Sequence, residues 1–220
     1  MIKKSSSGSP ETDSFSSDRV EQEFISKPLP DDPSLTDLVE WDGPVKEARM
    51  YFDYFSLSEE ERKHRRQRWG KIADRLSNIL LYGPPGTGKT RFAQAVRKEC
   101  DQNNIKFLNV PVGKVKDPFV GRSEERLNAI FDYVEAHAPS VVFFDEAEEL
   151  LSKPSMGSDG SGGVQTALVN VYLQRVGGID SNTTKPPLLI AATNTPPSFL
   201  DGAALRRYQA KFFVDLPGKK

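Results

Sequence analysis

The stretch LLYGPPGTGKTRFAQ, residues 80–94, sets an apolar run, a glycine- and proline-rich turn and a Lys-Thr pair in that order. The spacing from Gly83 through Gly88 to Lys89 and Thr90 is what a polyphosphate needs when backbone amides at the mouth of a helix are to hold it. Gly83, Gly86 and Gly88 let the backbone curl around phosphates with no side chain in the way, Pro84 and Pro85 stiffen the turn, and Thr87 lies in the same cradle. Lys89 then reaches the outer phosphates and the Thr90 hydroxyl suits Mg²⁺, so ATP with Mg²⁺ is the expected ligand.

Outward from this turn, short apolar runs alternate with helical patterns. ILLY, IKFLNV, SVVFFD, LLIAAT and KFFV read as strands, and residues 88–103, 123–137 and 164–176 as the helices between them. Strands separated by helices of this length predict an α/β fold with a parallel five-stranded sheet sandwiched between helices. Nearly continuous apolar strands such as VVFF fit a sheet buried on both faces. Before the first strand, Val45, Ala48, Met50, Tyr51 and Phe55 recur at helical spacing.

A second chemical element is SVVFFDEAEEL, residues 140–150. An apolar strand ending in Asp145 delivers a carboxylate to the C-terminal edge of the sheet, where open α/β sheets bind ligands. There Asp145 suits the metal shell and Glu146 suits a general base acting on water. Acidic residues also favour the first turn of a helix, which is the reading for Glu148 and Glu149.

With FVGRSEERLNAIF at 119–131, APSVVFFDE at 138–146 and AATN at 191–194 added, the chain resembles an AAA-type ATPase. It looks most like the meiotic clade that holds the ESCRT-disassembling and microtubule-severing enzymes. The resemblance implies that Asn194 senses the γ-phosphate and orients water, and that Arg206 and Arg207 complete a neighbouring subunit's site. Fingers acting in trans imply a ring, a hexamer in this family. Phe119 and Val120, followed by Gly121, match the pore loop that grips a protein substrate, and Lys114 and Lys116 before it would favour an acidic segment. Residues 152–165 match a second pore loop but lack the family's arginines. Leu38 and Val39 fall where the family packs against adenine, with Glu40 in place of a glycine. The implied function is Mg-dependent ATP hydrolysis driving remodelling or unfolding of a protein substrate through a central pore. Two other readings stay open: a DNA-acting AAA+ motor, and an ATP-binding switch with little turnover.

Composition narrows the partners. Thirty Lys and Arg against thirty-one Asp and Glu give a formal net charge of −1, so no global field draws the chain to nucleic acid or an anionic membrane. The charged run at 59–75 reads as solvated surface. Cys100, the lone cysteine, with His64 and His137 makes neither a disulfide nor a metal cluster. No run reaches the roughly 20 apolar residues of a membrane span, and the expected location is cytoplasmic. Residues 1–33, rich in Ser, Pro, Asp and Glu, read as a disordered arm. Residues 34–220 read as the large AAA subdomain alone, because the family's small helical lid would begin where this sequence stops at FFVDLPGKK.

Overall fold

The computed structural model describes residues 15–69, 78–119, 121–153, 161–182 and 186–216. Its centre is one sheet of five strands, β1 (Ile79–Tyr82), β2 (Lys106–Pro111), β3 (Ser140–Asp145), β4 (Leu188–Thr193) and β5 (Ala210–Phe213). The strand order is β2-β3-β4-β1-β5 and every pairing is parallel. The five strands and their parallel sense are those expected from the sequence.

Alternation along each strand divides the core in two. Ile79 and Leu81 pack with Phe92, Val96, Phe143 and Ile190 on one face. Leu80 joins Val142, Phe144, Tyr172 and Tyr208 on the other. Both sets are apolar because helices cover both faces. Helices α2 (Asp42–Ser56) and α4 (Lys89–Gln102) contribute to the first layer; α6 (Arg122–Ala136), α8 (Ser161–Asn182) and α9 (Gly202–Arg206) contribute to the second. Among the described residues the other α-helices are α1 (Ser17–Phe24), α3 (Glu59–Trp69), α5 (Val112–Val115) and α7 (Glu148–Leu151). From β1 the chain crosses to the edge strand β2, whereas from β4 it crosses to β5 on the other side. The C-terminal ends of the adjacent strands β1 and β4 therefore form a topological switch point, the usual ligand crevice of such sheets.

Residues 15–33, expected within a disordered arm, are instead folded onto the domain. Ser16 caps α1, accepting the Arg19 N–H at 3.4 Å, and Val20 and Phe24, one helical turn apart, enter the second core layer. Ile25 forms an antiparallel bridge with Leu108, and Ser26 N–H donates to Phe107 O at 3.2 Å on the open side of edge strand β2. Asp32 forms a buried ion pair with Arg97 of α4. Three apolar side chains, Phe15, Val20 and Phe24, and one buried ion pair supply what the average composition of the segment conceals. Residues 1–14 lie outside the described residues.

Cys100 is buried in α4. Among the described residues no group of three or more His, Cys, Asp or Glu could hold a metal ion, and no helix is long and apolar enough to cross a membrane.

Candidate nucleotide site

Strand β1 delivers the chain from the core directly into the Gly83–Gly88 turn. Gly83 has φ +151° and a Cβ there would lie 2.0 Å from the Val214 carbonyl oxygen, so the backbone leaving β5 passes only over a glycine. Gly86 (φ +78°) and Gly88 (φ +95°) are left-handed, and Gly88 is the residue from which α4 starts. This bends the turn so that α4 begins directly over the sheet edge, with the unpaired N–H groups of its first turn at the crevice.

Lys89 is the first residue of α4 and is buried. Its Nζ donates to Gly83 O and Pro84 O, each at 2.8 Å, and lies 3.4 Å from Thr87 Oγ1. The Thr87 hydroxyl itself donates to Pro84 O at 3.0 Å. Burial lowers the Lys89 pKa from its ordinary value, and the fields of Asp145 and then Glu148 oppose that shift. Pro84, Pro85, Gly86 and Thr90 are exposed at the mouth of the turn, while Thr87 is buried beneath it.

The acidic element meets the turn from β3. Thr90 Oγ1 donates to Asp145 Oδ2 at 3.3 Å, and Asp145 Oδ1 accepts the Glu146 N–H at 3.0 Å. Glu146 has φ +53°, a left-handed conformation that costs a non-glycine residue roughly 1–2 kcal/mol. The turn is fixed beyond it by Ala147 N–H donating to Ala192 O of β4 at 2.9 Å, which leaves the Glu146 side chain exposed at the crevice. Asn194, immediately after β4, is also exposed. Its backbone N–H donates to Glu148 Oε1 at 2.6 Å. Gly83 N–H donates to Thr193 O at 3.3 Å, so the ends of β1 and β4 are tied together.

Arg206 and Arg207 have different surroundings. Asp201 caps α9, accepting from Ala203 N and Ala204 N at 2.7 and 3.0 Å. Arg206 is exposed. Arg207 turns back onto its own domain: Nη1 donates to Ala203 O at 3.0 Å, and Nη2 lies 3.4 Å from where a Cβ on Gly177 of α8 would sit. The Arg207 carbonyl accepts from Asn78 Nδ2 at 3.1 Å.

Between α5 and α6, Phe119 is 63% exposed, and the Arg122 guanidinium lies 4.7 Å from its ring centroid. Asp117 shapes the loop by accepting Phe119 N–H at 3.0 Å. Lys116, expected to greet an acidic segment, is paired with Glu149 at 2.6 Å. Val120 and residues 154–160 of the expected second loop lie outside the described residues. Glu40, which stands where a glycine was expected, adopts the glycine-like geometry with φ +67°. Val39 beside it is 79% exposed. Trp41 stacks on Phe92 of α4, centroids 5.3 Å apart and planes within 10°, and its indole borders Gly88. Trp41 belongs to none of the sequence motifs; its one visible signal is a large aromatic side chain immediately before the helical pattern that includes Val45.

The profile of the ATPase family associated with various cellular activities (AAA) matches residues 79–216, more than half of the chain. The chain belongs to the AAA family. Among curated relatives, this AAA chain is 42% identical over 143 residues to the peroxisomal ATPase PEX6 of Rattus norvegicus, covering 64% of the chain and 14% of the relative. It is 36% identical over 142 residues to a katanin p60 ATPase-containing protein of Xenopus tropicalis, covering 64% and 25%. It is 34% identical over 140 residues to spastin of Drosophila virilis, covering 64% and 17%. The matched AAA segment thus spans a quarter or less of the length of these relatives. The crystal structure of the FIGL-1 AAA domain in complex with ADP superposes with a TM-score of 0.66 at 26% identity, over 90% of this chain and 60% of that one. The AAA resemblance carried by the motifs is borne out.

Proposed function

We propose that this domain binds ATP with Mg²⁺ at the crevice between β1 and β4 and hydrolyses it within a ring of identical or related subunits. The observation that carries the reading is the contact of Thr90 with Asp145 at 3.3 Å, next to the Lys89 ammonium and one residue from Glu146. The ADP in the FIGL-1 neighbour and the ATPase names of the relatives support it.

The Thr90 hydroxyl and Asp145 carboxylate are hard oxygen donors on adjoining elements, the donor set that suits Mg²⁺. When bound there, the ion neutralises charge on the outer phosphates. The backbone amides of residues 86–90 and the Lys89 ammonium hold the phosphate chain and set the γ-phosphorus in line with a water. Glu146 takes the proton of that water as its oxygen bonds to phosphorus and the bond to the ADP oxygen breaks. Asn194 orients the water, and Arg206 with Arg207 of a neighbouring subunit meet the charge spreading on the transferring group. The ring is a hexamer in this reading and the location cytoplasmic. Phe119, exposed with Arg122 over its ring, grips an extended segment of a protein substrate, large contact area serving any sequence.

The test is steady-state ATPase activity against protein concentration, alongside Glu146→Gln. Turnover per subunit that climbs with concentration and disappears in the variant supports a ring motor. Flat, negligible turnover with measurable ATP binding overturns it.

A further inference from the structure

The turn after Asp145 and Glu146 holds a carboxylate that the proposed hydrolysis leaves idle. Glu148 is half-buried, and its Oε1 accepts the Asn194 N–H at 2.6 Å from 46 residues away in sequence. A charge-assisted bond of that length is about twice as strong as a neutral one. The helix-start role assigned to Glu148 from sequence needs no such partner, and α7 is only four residues long. Neighbouring Glu149 points elsewhere, to Lys116.

We propose that Glu148 is the positioning residue for Asn194, its carboxylate anchoring the backbone that carries the Asn194 amide group to the attacking water. The proposal rests on the hydrolysis reading. The Asn194 loop is otherwise held by Thr195 N–H to Thr193 Oγ1 at 3.0 Å and by Gly83 N–H to Thr193 O at 3.3 Å. Both bonds act on the residues flanking Asn194 or their carbonyls; Glu148 alone among the described residues grips Asn194 itself. It also fastens the helix that follows the catalytic acids to the loop that follows β4, so Glu146 and Asn194 keep one mutual spacing.

Two variants separate reach from charge. Glu148→Gln keeps a carbonyl oxygen at the same reach and loses the charge. Glu148→Asp keeps the charge and withdraws the oxygen by one methylene, about 1.5 Å. With kcat, KM and ADP affinity measured for the full chain, Glu148→Gln, which keeps the reach and weakens the bond by its charge, is expected to lower kcat by about threefold to tenfold while KM and ADP affinity hold. In Glu148→Asp, kcat is expected to fall about tenfold to a hundredfold, the cost of misplacing a catalytic group by an ångström or so, while KM and ADP affinity hold. Wild-type kcat in Glu148→Asp overturns the proposal, as does a fall in Glu148→Gln that exceeds the fall in Glu148→Asp or comes with a matching loss of ADP affinity, which would assign the effect to the field on Lys89. Absence of turnover in the wild-type chain instead sinks the hydrolysis reading, a distinct result.

Discussion

Arg97 closes on Asp32 with two nitrogens of its fork, Nε to Oδ2 at 3.0 Å and Nη2 to Oδ1 and Oδ2 at 2.8 and 2.6 Å. Both residues are buried. The pair fastens the N-terminal segment to α4, the helix whose first residue is Lys89, and Ser26 Oγ accepts from Arg97 Nη1 at 2.6 Å to extend the clasp. Breaking one partner leaves a buried charge alone. Asp32→Ala is therefore expected to lower unfolding stability by about 3–5 kcal/mol in urea titrations, and a loss below about 1 kcal/mol would show that the segment contributes little.

The two arginines at the end of α9 are expected to separate in their effects. Arg206→Ala changes an exposed side chain and should leave stability within about 0.5 kcal/mol, while ATP turnover falls by about 10³ or more if it meets the neighbour's phosphate. Arg207→Ala removes the bond to Ala203 O and the packing against α8, and should cost about 1 kcal/mol of stability besides any loss of turnover. Thermal melts paired with ATPase rates check this. Identical stability in both variants would refute the split.

Glu146 is strained where it stands. Replacing it with glycine relieves the positive φ, so Glu146→Gly is expected to raise stability by about 1 kcal/mol, whereas Glu146→Gln should leave it unchanged. Both variants should lose turnover. Denaturation midpoints in urea distinguish them, and a Glu146→Gly chain less stable than Glu146→Gln would contradict the strain.

Alkali should unfold the domain. Burial pushes the hydroxyls of Tyr51, Tyr172 and Tyr208 above the ordinary tyrosine value, and it pushes the Cys100 thiol up as well. In each case the native state keeps its proton after the unfolded chain, with tyrosines near about 10 and cysteine near about 8.5, has lost it. Stability from these groups is thus full below about pH 8 and falls as pH rises through and beyond those unfolded values. The Tyr172 and Tyr208 hydroxyls bond to each other in the core, so Tyr172→Phe with Tyr208→Phe should reduce the slope of stability against pH above about pH 9. An unchanged slope would count against their burial as neutral phenols.

The sheet and the glycine turn at its edge were legible because each is written locally: β1 and β3 as unbroken apolar runs, Gly83 to Gly88 as closely spaced glycines that break the strand before α4. The position of Asp145 and Glu146 at the sheet edge was legible because the apolar run of β3 ends there. The N-terminal segment was not, since serines, prolines and acidic residues dominate its composition while its stability comes from partners far along the chain, Leu108, Arg97 and Glu125, whose carboxylate accepts the Phe15 N–H at 3.2 Å. A weak signal existed in Val20 and Phe24, one turn apart behind a serine cap. Glu148 and Arg207 were readable as residue types but not as contacts, because Asn194 and Gly177 reach them only in the folded chain.

The pairing of Ile25 with Leu108 and of Ser26 with Phe107 has a colloidal side. A sheet margin with free amide and carbonyl groups recruits strands from other molecules. A chain trimmed to begin at residue 34 would bare the outer flank of β2, and its failure would be seen as turbidity and fibrous self-association long before any fault in nucleotide chemistry could be measured.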